Sequence, residues 1–114
     1  MSNKIVIKVI ADIEPVLTRH GVGEKKVLLS QEEHSSPITQ IARTSLLYGQ
    51  KVEKHMHPTM DEHFIFLKGE CILRTETDEI YCHEGHYLII PAGVCHQIEV
   101  LSNTEIITIG VATE

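Results

Sequence analysis

At 114 residues and 12.8 kDa, with 42% hydrophobic and 23% charged residues, the chain has the size and composition of one folded domain able to bury a single core without disulfide staples. The net charge of −6 is unevenly spread: all ten Lys and Arg lie at or before Arg74, and the forty residues after it carry seven acids. That balance lacks a basic nucleic-acid footprint and gives no attraction to anionic membranes, so neither is an expected partner.

The first apolar run, IVIKVIA, is interrupted by Lys8 and too short for a signal h-region or a membrane span, which makes a cytoplasmic location the expectation. KIVIKVI reads as a first strand, and ADIEPVL, broken by Pro15, leaves room for a turn of helix. KVLLS, ITQIARTSLLY, HFIFL, CILRT, EIYC, YLIIP, HQIEV and EIITIGV follow, rich in β-branched, aliphatic and aromatic residues and separated by Gly, Pro, Asn or acidic turns. None sustains a helical period over three turns, and no repeat or linker divides them. Many short strands at close spacing predict an all-β sandwich or barrel spanning 1–114 as a single domain.

The densest chemistry lies in KHMHPTMDEHF, Lys54 to Phe64. Residues two apart on a strand share a face at roughly 6–7 Å, so His55 and His57 can turn inward together. Pro58 cannot continue a central ladder, and Pro-Thr-Met-Asp reads as a turn before a new strand near Glu62. Glu62 then shares a face with Phe64 and Phe66, while His63 falls on the other and is not expected to ligate. In HQIEV, His96 alternates inward with Ile98 and Val100 and is the candidate fourth ligand. Three imidazoles and a carboxylate suit Fe, Mn, Zn, Ni, Co or Cu without choosing among them.

The spacing Gly49, five residues, His55, one, His57, four, Glu62, six, Gly69 resembles the first motif of the cupin superfamily, G(X)5HXH(X)3-4E(X)6G. Gly85, five residues, Pro91, one, Gly93, two, His96 resembles the second, G(X)5PXG(X)2H(X)3N, with Val100 where the pattern has Asn, a position expected to be a structural turn. The resemblance to a small single-domain cupin, with motif 1 at 49–69 and motif 2 at 85–100, implies a double-stranded β-helix, or jelly-roll barrel. It implies one divalent metal per chain inside the barrel on His55, His57, Glu62 and His96, and pairing as a homodimer. The four glycines and Pro91 then serve the fold.

CHEGH, Cys82 to His86, is not HExxH, and its Glu84-Gly85 is a turn signal at a hairpin end rather than a second metal site. Cys71, Cys82 and Cys95 are odd in number without CxxC spacing and read as reduced thiols, with Cys71 and Cys82 flanking a hairpin through Glu76 to Glu79. The five aromatics, Tyr48, Phe64, Phe66, Tyr81 and Tyr87, cluster around the motifs as core or as pocket lining. Phe64, Ile65, Phe66 and Leu67 put bulky apolar residues on both faces of HFIFL, which implies burial within the barrel or between subunits. Four protein ligands on an octahedral ion leave two positions open. The expected function is therefore a metalloenzyme on a small molecule, of dioxygenase or isomerase type, with Glu62 as ligand or proton acceptor. A non-catalytic sensor or binding module is the alternative, and a metal-independent sugar isomerase or epimerase the third.

Overall fold

The structure, a computed structural model, describes residues 5–114. It contains two short 3-10 turns and ten strands: β1 (Val16–Leu17), β2 (Glu24–Ser30), β3 (Ile38–Leu46), β4 (Lys51–His55), β5 (Met60–Lys68), β6 (Glu70–Arg74), β7 (Glu79–His83), β8 (Tyr87–Ile90), β9 (His96–Val100) and β10 (Thr104–Ala112). They form a six-stranded sheet in the order β1-β2-β3-β10-β5-β8 and a four-stranded sheet in the order β4-β9-β6-β7. Every pairing is antiparallel. The two layers are the walls of the double-stranded β-helix.

Alternation along each strand places the core. Ala42, Thr44 and Leu46 of β3, Phe64 and Phe66 of β5, Cys71 and Leu73 of β6, and His96, Ile98 and Val100 of β9 are buried, and their immediate neighbours are not. A period of two with one face turned inward is what a sheet needs to bury a single side. The buried residues of both sheets join in one cluster between the layers. Phe64 and Phe66 meet edge to face within it, whereas Tyr48, Tyr81 and Tyr87 are exposed on the outside, so the aromatics divide between core and surface.

Several expectations are corrected. Ile5 to Val9 form no strand, because nothing among the described residues pairs with that segment, and Ile5 and Ile7 are 94% and 88% exposed. The helical turn in ADIEPVL is the 3-10 turn Ile10–Asp12. β5 starts at Met60, two residues before Glu62, so the turn is confined to Pro58 and Thr59. Glu84-Gly85 joins β7 in the smaller sheet to β8 in the larger one, a crossing between layers rather than a hairpin end. The β6–β7 hairpin turns through Thr75 to Asp78, where the Thr75 N–H donates to the Asp78 carbonyl at 2.9 Å. Val100 is the inward-facing last residue of β9, 1% exposed, and not a turn residue. An apolar side chain suits that place, and the backbone still links the motifs, with Gly49 N–H donating to the Val100 carbonyl at 3.1 Å.

Gly69 shows why a motif glycine is needed. Its φ is +90°, and an added Cβ would lie 2.3 Å from the Asn103 carbonyl oxygen and 2.6 Å from Thr104 Cα. Both neighbours are backbone atoms that cannot rotate away. Gly69→Ala is expected to destabilise the chain by about 2 kcal/mol or more. A fall in the urea midpoint without a change in slope checks this.

Candidate metal centre

The two sheets bring four side chains to one point. His55 ends β4, His57 lies just beyond that strand, Glu62 is on β5 of the opposite sheet, and His96 opens β9. One ligand atom from each of the four lies within 4.8 Å of all the others. The convergence follows from pairing: His55 and His96 are direct cross-strand partners, and their rings are 4.3 Å apart. His57 is off the strand, contrary to the expectation of an HxH on one strand. Its carbonyl accepts a hydrogen bond from Gly93 N–H at 2.8 Å, which fixes the segment after β4 to the turn before β9. Asp61, the other acid in the cluster, does structural work: its Oδ1 accepts from Ala92 N–H at 2.8 Å and ties β5 to the same turn.

The geometry fits a cation. His57 Nε2 and His96 Nε2 stand 3.6 and 3.8 Å from Glu62 Oε1. Those separations are long for hydrogen bonds. Metal bonds of about 2.1 Å place adjacent ligands about 3.0 Å and opposite ones about 4.2 Å apart, so the observed spacing needs only small side-chain adjustment. His55 Nδ1 donates to the Glu53 carbonyl at 2.8 Å and His96 Nδ1 to the Val94 carbonyl at 3.0 Å. Both bonds commit the ring to the tautomer whose Nε2 is a free lone pair, as ligating histidines require. His96 Nε2 is buried and has no hydrogen-bond partner. A buried acceptor left unpaired is costly, and a metal ion could serve as its partner.

The electrostatics agree. Burial, reinforced by the neighbouring His55, holds His57 and His96 below the ordinary imidazole pKa, in the neutral form that ligates. Burial raises the Glu62 carboxyl to about 7, against the opposing pull of Lys25. A buried acid poised near neutrality among neutral imidazoles is an arrangement that a divalent cation would discharge.

His63 stays out of the cluster, as strand parity predicts. It lies on the outer face with Nδ1 2.7 Å from the Tyr87 hydroxyl. The His83 and His86 rings lie 3.8 Å apart, tilted at 38°, but no third ligand joins them among the described residues. Cys71 and Cys82 are cross-strand partners, both buried, and Cys95 is half-buried; all three are free thiols.

Three residues near the site were not anticipated from the sequence: Arg19, His20 and Lys25. The His20 ring is 5.3 Å from that of His55. Lys25 lies within electrostatic reach of Glu62, and Arg19 within reach of His57. The available signal was parity in EKKVLLS, where Lys25 shares the face of Val27.

Comparison with known proteins places the fold. The family described as "Cupin domain" (Cupin_2) matches residues 42–111. An uncharacterised protein, L612, of Acanthamoeba polyphaga mimivirus is 35% identical over 74 residues, 62% of this chain and 46% of that protein. The chain spans about half the length of the curated relatives it matches. Among solved structures, a predicted oxalate decarboxylase from Thermotoga maritima superposes with a TM-score of 0.80 at 23% identity, covering 94% of this chain and 99% of that one. Ectoine synthase from P. lautus superposes with a TM-score of 0.84 at 12% identity, covering 95% and 78%. At such identities these structures are similar in fold.

Proposed function

The chain belongs to the Cupin domain family, and from that premise we propose that it holds one divalent transition-metal ion on His55, His57, Glu62 and His96 and acts there on a small molecule. The observation that carries the reading is His96, whose Nε2 is buried, unpaired and one of four converging ligand atoms. The bound ion would supply Lewis acidity, or dioxygen activation if it is iron, at the positions that four protein ligands leave open.

The chain's own groups then have separate tasks. His55 and His96, oriented by the Glu53 and Val94 carbonyls, hold fixed directions for their Nε2 atoms. Glu62 either ligates the ion or, swung off it, is the carboxylate placed to accept a proton from the small molecule. Phe64 and Phe66 share the inward face of β5 with Glu62 and are buried. The two structural neighbours named above carry the names of enzymes acting on small molecules, which is the class of activity proposed here. Elemental analysis of untagged protein, purified without added metal or chelator and assayed for substrate-dependent oxygen uptake and for isomerisation, tests the proposal. About one ion per chain with turnover supports it, and one ion per chain without turnover on a broad panel reduces it to a sensor.

We propose in addition that two copies pair through the outer face of the larger sheet. On that face Ile65 lies between Ile107 and Tyr87, and Ile65, Leu67 and Ile89 are 39%, 39% and 44% exposed. Apolar rows of this kind on an open sheet face favour burial against a partner. Light scattering is expected to give twice the 12.8 kDa of the chain. With three free thiols, a reducing cytoplasm is the proposed location.

A further inference from the structure

Lys25 stands on β2 opposite buried Thr44 of β3, which itself pairs with buried Ile106 of β10, so the lysine belongs to the inward row of the sheet. Its Nζ donates to Gln40 Oε1 at 2.9 Å. Gln40 is in register with Gly110, and Gly110 with the ligand Glu62; the side chains of Thr39 and Met60 fill the space over Gly110 in that row. With its Oε1 engaged by the ammonium, Gln40 presents its amide N–H groups, and Lys25 keeps two N–H bonds free. This wall of the barrel therefore presents an ammonium and an amide N–H edge, with the Thr39 hydroxyl beside them.

The local charge runs against the rest of the molecule. In a chain of net charge −6, Arg19 stands close enough to Lys25 to repel it, and Glu62 is the carboxylate that opposes this repulsion at Lys25. His20, held by Thr18 Oγ1 at 3.1 Å, adds a polar edge beside His55. An ammonium and an amide under a local surplus of positive charge favour an anionic ligand. One ammonium and one amide match the two oxygens of a carboxylate.

We infer that the small molecule bound at this centre bears a carboxylate, gripped by Lys25 and Gln40 on the barrel wall and steered to the mouth by Arg19. The inference rests on the metal-centre reading for where the remainder of the ligand sits. The carboxylate orients the reacting end toward the four ligands, and neutral analogues lose this grip.

The test titrates malonate, its neutral diamide malonamide and inorganic phosphate into wild type, Lys25→Met, Lys25→Arg and Arg19→Met, each metal-loaded and each stripped by chelator, with metal content and thermal midpoint recorded. Lys25→Met is expected to weaken malonate about tenfold at unchanged metal content, with malonamide unaffected and Lys25→Arg restoring part of the loss. Arg19→Met is expected to slow malonate association and flatten its salt dependence. The Lys25 ratio persists in stripped protein, so a chain that holds no metal but shows the ratio sinks the metal reading alone. Equal malonate affinity in wild type and a folded Lys25→Met overturns the inference, as does phosphate binding tighter than malonate. A Lys25→Met chain that does not fold leaves Lys25→Arg and Gln40→Leu to carry the same comparison, with unchanged malonate affinity in both counting against it.

Discussion

Replacing both His55 and His57 by alanine is expected to lower metal affinity at least about 10³-fold, since two of four ligand atoms are lost from a site whose binding energy is shared among them. The metal-free chain should remain folded. Neither histidine belongs to the buried cluster between the sheets, and among the described residues the one hydrogen bond of the His55 ring is local, to the Glu53 carbonyl. Burial and like-charge neighbours disfavour the charged form of His57, and its near carboxylate, Glu62 at 3.6 Å, is too far for a hydrogen bond. A midpoint within about 5 °C of the metal-free wild type is therefore expected, corresponding to about 1 kcal/mol in a domain of this size. Chelator competition reads the affinity and circular dichroism reads the fold. Metal content equal to wild type in the double variant would sink the ligand assignment.

Glu62→Gln is expected to act in opposite directions on binding and on stability. Burial holds the Glu62 carboxyl at about 7 in the metal-free folded chain, against an ordinary glutamate value of 4.5. Between those values the folded state keeps a proton that the unfolded state has released. Stability is thus fully present below the unfolded pKa and falls as pH rises toward 7, by up to about 3 kcal/mol at one pKa unit per 1.36 kcal/mol. Glutamine has the same shape and no charge to bury. The variant should therefore be more stable than metal-free wild type at pH 8, by about 1–3 kcal/mol, with the gain absent at pH 4. Its metal affinity should fall by a factor on the order of 10² or more. The histidine titrations occur in both proteins and cancel in the comparison. Urea unfolding at the two pH values measures the difference, and equal destabilisation at both would show that Glu62 carries a structural bond rather than an uncompensated buried charge. The expected trade is that of a functional site held at some cost to the fold.

Much of the site was legible because its ligands are bound to features that sequence displays. Strand parity separates Glu62 from His63 one residue away, and the structure places the first in the cluster and the second against Tyr87. The same parity puts His96 inward with Ile98 and Val100. What parity cannot give is the path between strands. His57 left β4 yet still reached the cluster, because Gly93 N–H holds its carbonyl, a contact between residues far apart in the chain. Likewise Glu84-Gly85 has the chemistry of any tight turn, and only the packing of two layers decides that it crosses from one sheet to the other.

The least legible part was the basic wall. Arg19, His20 and Lys25 belong to no motif, and the first two are exposed residues in a Gly-flanked turn that reads as ordinary surface. They become site residues only through the pairing of β2 with β3, which carries Lys25 to the inner face beside Gln40. Ile5 to Val9 show the opposite case: a good strand pattern with no partner strand stays irregular, because a strand exists only in its ladder.

The central claim is that His55, His57, Glu62 and His96 hold one metal ion, and an anomalous difference map recorded at the absorption edge of the metal found in the purified protein tests it most directly. The account predicts a single peak per chain about 2.0–2.2 Å from His55 Nε2, His57 Nε2, His96 Nε2 and a Glu62 carboxylate oxygen. A peak at His83 and His86 instead, or no peak within the barrel of protein shown to carry stoichiometric metal, would contradict it.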